Sequence, residues 1–283
     1  MSEHVNTPLS QRRVGTAAVL PIQDVTATMP IERFRGGGIE TLAATSPGLA
    51  APSSYAAFLV RRGAEAVLVD TGLGSEAPEK FSRLPHVLER AGLAAGDIGA
   101  VLLTHCHMDH VGGLVKNDSA AFPNATLFLS EPERDFWTSD AHMAQFPERR
   151  AGFLFVRRVL ELYTGRVHTF RFDETVLPGI RALDAVGHTA GHAAFLLESE
   201  GESLLFGADI VHAALWQFPN PDIYATFDLD KDKGIASRRR LLSLAADAAL
   251  PLAGAHLPFP CIGMVRRSGD GFTFVPDASD TGG

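Results

Sequence analysis

Between Thr104 and His110 the chain reads THCHMDH, which packs His105, His107, Asp109 and His110 into six positions directly after an apolar run. In an extended segment side chains alternate, so His105 and His107 project to one side and can share a cation. Asp109 and His110 follow where Gly112-Gly113 turns the chain towards a helix, and can face a second ion. Imidazole nitrogen with carboxylate oxygen suits Zn²⁺, with Mn²⁺, Co²⁺ or Fe as further candidates. A His-rich loop can also be merely polar and exposed. Against that, His188 and His192 in Gly187–His192, Asp209 in Gly207-Ala208-Asp209 and His256 in Gly254-Ala255-His256 all follow apolar runs of the same kind.

Those runs are the elements that must position the ligands. Ala66–Val69 precedes Asp70, Ala100–Leu103 precedes Thr104, and Ile180–Val186 precedes Gly187. Ser203–Phe206 precedes Gly207, and Leu250–Ala253 precedes Gly254. Short apolar runs bounded by Gly read as buried strands. Glu79–Ala91, interrupted by Pro85, and Ser237–Ala249 carry apolar residues at helical spacing. Arg238, Arg239 and Arg240 are expected on the solvated face of the second helix. Strands alternating with helices predict an α/β or layered α+β domain with ligands gathered at one sheet edge. Residues 1–14 are expected to form a flexible arm, 15–276 one domain and 277–283 a flexible tail.

His105-Cys106-His107-Met108-Asp109-His110 resembles the HxHxDH signature of the metallo-β-lactamase-fold superfamily, and Asp70-Thr71-Gly72, Gly187–His192, Asp209 and His256 resemble its other motifs in their usual order. The resemblance runs from about Ala56 to Pro276. It implies an α+β fold, a four-layer αββα sandwich, with two divalent metal ions per chain. By the same resemblance His105, His107 and His192 bind one ion, Asp109, His110 and His256 bind the other, and Asp209 bridges both. Asp70 is then a buried structural aspartate and His188 a supporting residue of its loop. Phe122–Thr126, Asp135-Phe136-Trp137 and the stretches around Asp209–His212, Gln217–Pro219, Ala255–Pro260 and Phe272–Pro276 look like the methyl parathion hydrolase group. That group includes organophosphate triesterases, lactonases and arylesterases, typically homodimeric. Acyl-homoserine lactonases of the superfamily carry Tyr three residues after the bridging Asp, where this chain has His212.

Composition narrows the partners. Of 283 residues 46% are apolar and 20% charged, which is globular, and Asp plus Glu (33) outnumber Lys plus Arg (25) for a net charge of −8. An acidic chain without a basic surface argues against nucleic acid. Two cysteines, Cys106 and Cys261, make no disulfide framework, and Cys106 is expected to pack between the ligands. No apolar run approaches the ~20 residues that span a bilayer. The first 15 residues lack the pattern of a secretory signal, so a cytoplasmic protein is expected.

The chemistry expected is hydrolysis by a metal-bridging hydroxide, with Asp109 orienting it and His212 donating a hydrogen bond to the substrate oxygen. Phe136, Trp137, Trp216, Phe218, Leu257 and Phe259 lie near the motifs and are expected to wall an apolar pocket. No Lys or Arg sits beside the motifs from His105 to Gly113 or from Gly187 to His192. Uncharged substrates (a lactone, an aryl ester or a phosphotriester) should therefore be favoured. The rival readings are a glyoxalase II-like thioesterase and, in a different class, a non-catalytic metal-binding protein.

Overall fold

The computed structural model describes residues 10–74 and 83–278 and contains two seven-stranded sheets, each with its strands in chain order. The first comprises β1 (Arg12–Val14), β2 (Ala17–Pro30), β3 (Ala50–Arg62), β4 (Glu65–Val69), β5 (Ala100–Leu102), β6 (Thr126–Ser130) and β7 (Val167–Phe170). The second comprises β8 (Thr175–Leu177), β9 (Ile180–Asp184), β10 (Ala193–Ser199), β11 (Glu202–Phe206), β12 (Pro251–Ala253), β13 (Ile262–Ser268) and β14 (Gly271–Pro276). From β1 to β4 neighbours are antiparallel, and from β4 to β7 they are parallel. In the second sheet only β11 and β12 run parallel.

Alternation along the strands gives each sheet two apolar faces to bury. Val19, Phe58, Val60 and Leu102 of the first sheet meet Ala182, Phe195, Leu197 and Phe206 of the second in a shared interior. On the opposite face of the first sheet, Leu20, Leu59, Val101 and Leu127 pack on α1 (Leu84–Arg90), α2 (Glu131–Thr138) and α3 (Arg150–Leu162). Leu183, Leu196, Leu205 and Leu252 of the second sheet pack on Leu241, Leu242 and Ala245 of α4 (Lys231–Asp247). The layers are therefore helix, sheet, sheet, helix, as expected.

Local chemistry sets the ends of these elements. Ser130 caps α2 by accepting from the Glu133 amide, and Asp230 caps α4 by accepting from that of Lys233. Pro85 sits in the first turn of α1, so it opens that helix and does not interrupt it; residues 79–82 of the expected helix lie outside the described residues. Strand β2 bulges at Asp24, whose buried carboxylate accepts from the amides of Leu73 and Arg83. Burial pushes that carboxyl up to about 6.

Two expectations need correction. The N-terminal arm does not extend to residue 14: Arg12–Val14 pair with β2, and Arg12 bridges Asp277 of the expected tail at 2.6 Å. Nor is the whole arginine triplet solvated. Arg239 pairs with Asp222 and Arg240 donates to the Asp184 carbonyl, but Arg238 is 1% exposed. Its guanidinium donates to the carbonyls of Ile210, Pro221 and Ile223 and lies 3.8 Å from Asp228. Ile210 closes the short turn that carries Asp209, and Pro221 and Ile223 lie in the segment that follows, so Arg238 ties α4 to them. Arg238→Ala should lower the unfolding free energy by about 3–5 kcal/mol, because it removes the buried cation beside Asp228 and the donor to the Ile210 and Pro221 carbonyls. Urea denaturation measures this, and a loss below about 1 kcal/mol would contradict the assignment.

Candidate metal centre

The ligand-bearing segments leave their strands at one edge of the sandwich. Asp70 follows β4, THCHMDH follows β5, residues 185–192 join β9 to β10, Asp209 follows β11 and His256 follows β12. His107 is still extended, and Met108–Val111 then forms a helical turn that brings Asp109 and His110 round. Asp70 adopts a left-handed backbone (φ 60°) and accepts from the Thr104 amide, the Thr104 hydroxyl and His110 Nδ1. It thereby holds the loop between β5 and His110, the role its family resemblance implies.

At the centre stands the Asp209 carboxylate, 3% exposed. Its Oδ2 lies 3.0 Å from His256 Nε2, 3.2 Å from His212 Nε2, 3.3 Å from His188 Nε2 and 3.7 Å from His105 Nε2. Its Oδ1 lies 3.2 Å from His110 Nε2. Asp109 Oδ2 is 3.6 Å from His110 Nε2 and 3.5 Å from His256 Nε2. His105 Nε2 and His188 Nε2 lie 3.1 and 2.9 Å from His107 Nδ1. His192 Nε2 accepts from the Asp209 amide at 3.4 Å. Ligand atoms fall within 4.8 Å of one another in several triads, among them His105–His107–His188, His105–His110–Asp209 and Asp109–His110–His256. Among the described residues His188 belongs to such triads and His192 does not.

This arrangement fits two cations. Five outward nitrogens are bonded to protein: His105 Nδ1 to the Thr104 hydroxyl, His110 Nδ1 to Asp70, His188 Nδ1 to Asp228, His192 Nδ1 to the Ala185 carbonyl and His256 Nδ1 to the Ser54 carbonyl. Such outer bonds fix tautomer and ring orientation in metal sites. The inward atoms include His110 Nε2 and Asp209 Oδ1, both buried without a hydrogen-bond partner. Burial holds the His105 and His107 imidazoles well below the usual range and His192 down at about 3, so these rings are neutral and carry lone pairs. Burial also opposes charge on His110, but Asp209, Asp109 and Asp70 outweigh it and raise that group. Neutral imidazoles crowded round a carboxylate are the donor set of a divalent cation.

The residues expected to work beside the ligands fall differently. His212 Nε2 faces the Asp209 carboxylate at 3.2 Å, and burial holds its imidazole down at about 4. Cys106 is buried and unpaired, as packing requires. Phe136 packs on Phe146 and Phe153, Trp216 on Phe34, Phe218 on Phe274, and Leu257 against α4, all within the core. Trp137 borders a side cavity of about 210 Å³ with His107, Arg149 and Phe227, and Phe259 is exposed. Proximity in sequence to a motif therefore did not place these side chains in the cleft.

The cleft over the centre, about 700 Å³, is lined by Met29, Arg33, Tyr55, Met108, Asp109 and Phe227 among others. Arg33 is a cation in this lining that comes from outside the motif segments. Glu133 was also overlooked: its buried carboxylate accepts from the Cys106 amide, Trp137 Nε1, the Thr189 hydroxyl and the Gly191 amide, joining the two His loops. Its segment, EPERD, reads as a polar surface. A Cβ on Gly191 would stand 2.2 Å from the Glu133 nitrogen, which explains that glycine.

The family profile of the metallo-beta-lactamase superfamily matches residues 51–256. Curated relatives include N-acyl homoserine lactonases of a Bacillus species, 25% identical over 56% of this chain, and of Bacillus cereus, 26% identical over 44%. The matches span 56% and 42% of those proteins, about half their length. Two solved structures are similar over 95% of this chain and 97% of theirs. One is AidC, a dizinc quorum-quenching lactonase in complex with a product, N-hexanoyl-L-homoserine (TM-score 0.83, 26% identity). The other is the hydrolase AbOPH of the beta-lactamase superfamily (TM-score 0.84, 27% identity).

Elemental analysis of protein purified without chelator should approach two divalent ions per chain. Asp209→Asn should lower both, because its carboxylate faces ligands of both sets. Retention of either ion at full occupancy in that variant would rule out a shared role for Asp209.

Proposed function

The chain belongs to the metallo-beta-lactamase superfamily, and we propose that within it this protein is a dinuclear-metal hydrolase of esters, with a lactone as its substrate. The observation that carries this reading is the half-buried Asp109 carboxylate. It lies beside His110 and His256 at the floor of the cleft and is open to whatever enters. A storage or sensor site needs ligands but no acid–base group facing an open cleft.

On this reading His105, His107 and His192 hold one cation and Asp109, His110 and His256 the other, with Asp209 shared between them. Two divalent ions so held would lower the pKa of bound water to about 7 and draw electron density from the ester carbonyl. Asp109 accepts a hydrogen bond from the attacking water and returns its proton to the leaving alkoxide. His212 acts as a positioning residue, its Nε2–H fixing the Asp209 carboxylate, while Asp228 does the same for His188. Met29, Tyr55 and Phe227 wall the cleft and displace water around the reacting bond. The lactone is favoured by the names of the relatives. A phosphotriester is the second substrate class, resting on the resemblance to the methyl parathion hydrolase group.

Metal-defined protein should be assayed on γ- and δ-lactones, aryl esters, a dimethyl phosphotriester and a thioester. Lactones should give the highest kcat/KM, and Asp109→Ala should reduce it at least about a hundredfold in protein resupplied with metal. A thioester that outruns the lactones would install the thioesterase reading. Protein that carries two ions and turns over none of these would be a metal-binding module.

A further inference from the structure

We propose that Arg33 forms a carboxylate-binding subsite at the wall of the cleft, so that the enzyme takes esters or lactones whose acyl or alkoxy half ends in a carboxylate. This deepens the ester-hydrolase reading and rests on it. Arg33 closes a short turn, Ile31–Arg33, that follows β2, and the turn is fixed on every side. The Ile31 amide donates to the Leu49 carbonyl and the Thr226 amide to that of Arg33, both at 2.8 Å. Phe34-Arg35 then pairs with Tyr224-Ala225. The backbone therefore presents one side chain, and that side chain lines the cleft.

Its guanidinium lies 6.0 Å from the centroid of Phe227, which also packs edge-on to His212 and His188. Arg35, Arg149 and Glu32 each have partners of their own. Arg35 donates to the Glu32 and Phe34 carbonyls, Arg149 donates to that of Phe227, and the Glu32 carboxylate accepts from Gly48. Among the described residues no carboxylate forms an ion pair with Arg33, although it is the cation lining this cleft.

A guanidinium presents planar N–H donors that match a carboxylate in bidentate fashion. The reacting ester belongs beside Asp109, Phe227 reaches from Arg33 to His188 and His212, and Met29 adds apolar lining to the same cleft. A substrate that fits all three has an uncharged ester, an apolar spacer and a terminal carboxylate. Arg33 is exposed, so its contribution is modest and sensitive to salt.

The test is equilibrium binding of two non-hydrolysable γ-lactams to metal-loaded protein, one with an uncharged alkyl amide chain and one with the same chain ending in a carboxylate. In wild-type protein at low salt the carboxylated lactam should bind at least about threefold tighter, a preference that shrinks as salt rises. Arg33→Gln should abolish the preference and Arg33→Lys should retain part of it. Equal affinities in the wild type, or an undiminished preference in Arg33→Gln, would overturn the subsite. Turnover of an uncharged lactone by the same wild-type sample reads the hydrolase assignment separately, since the lactam comparison needs no catalysis.

Discussion

A carboxylate buried among imidazoles is the interaction on which the rest of this structure depends. Asp209 meets His105, His110, His188, His212 and His256 in a space that excludes solvent, where an unpaired charge or an idle ring nitrogen is costly. The fold meets that cost by giving the outward nitrogens of His105, His110, His188, His192 and His256 a protein partner and directing their inner atoms to one point. Asp70, Asp228, Ser54 and Ala185 supply four of those partners from four different segments. Arg238 and Glu133 secure the loops themselves, one through carbonyls and the other through amides and hydroxyls.

This explains why the sandwich is built as it is. Two sheets back to back bring the ends of β4 and β5 opposite those of β9, β11 and β12, so ligands distant in sequence converge at one edge. The long β2–β3 hairpin adds a wall on one side, with Ser54 behind His256 and Tyr55 edge-on to it. Rigidity therefore comes from the sheets, while the chemistry sits in the short loops that leave them.

Much of this was legible in the residues. THCHMDH, the strand-end acids and imidazoles, and the short apolar runs announce the layers and the cluster, because strand periodicity and ligand chemistry are both local. The walls were not legible. Phe136, Trp216 and Phe218 stand near motifs in sequence, but helix packing rotates them into the core. Met29, Arg33 and Tyr55 reach the cleft only when the β2–β3 hairpin folds against the second sheet. Arg238 looked like one of three solvated arginines because its partners are backbone carbonyls, which no side-chain pattern reveals. Likewise Glu133 has four donors that converge only in three dimensions.

Anomalous diffraction from crystals of the metal-loaded protein tests the central claim most directly. Two peaks roughly 3.5–4 Å apart should flank the Asp209 carboxylate, one beside His105 and His107 and the other beside Asp109, His110 and His256. A single peak, or a pair of which Asp209 touches only one, would contradict a shared dinuclear centre.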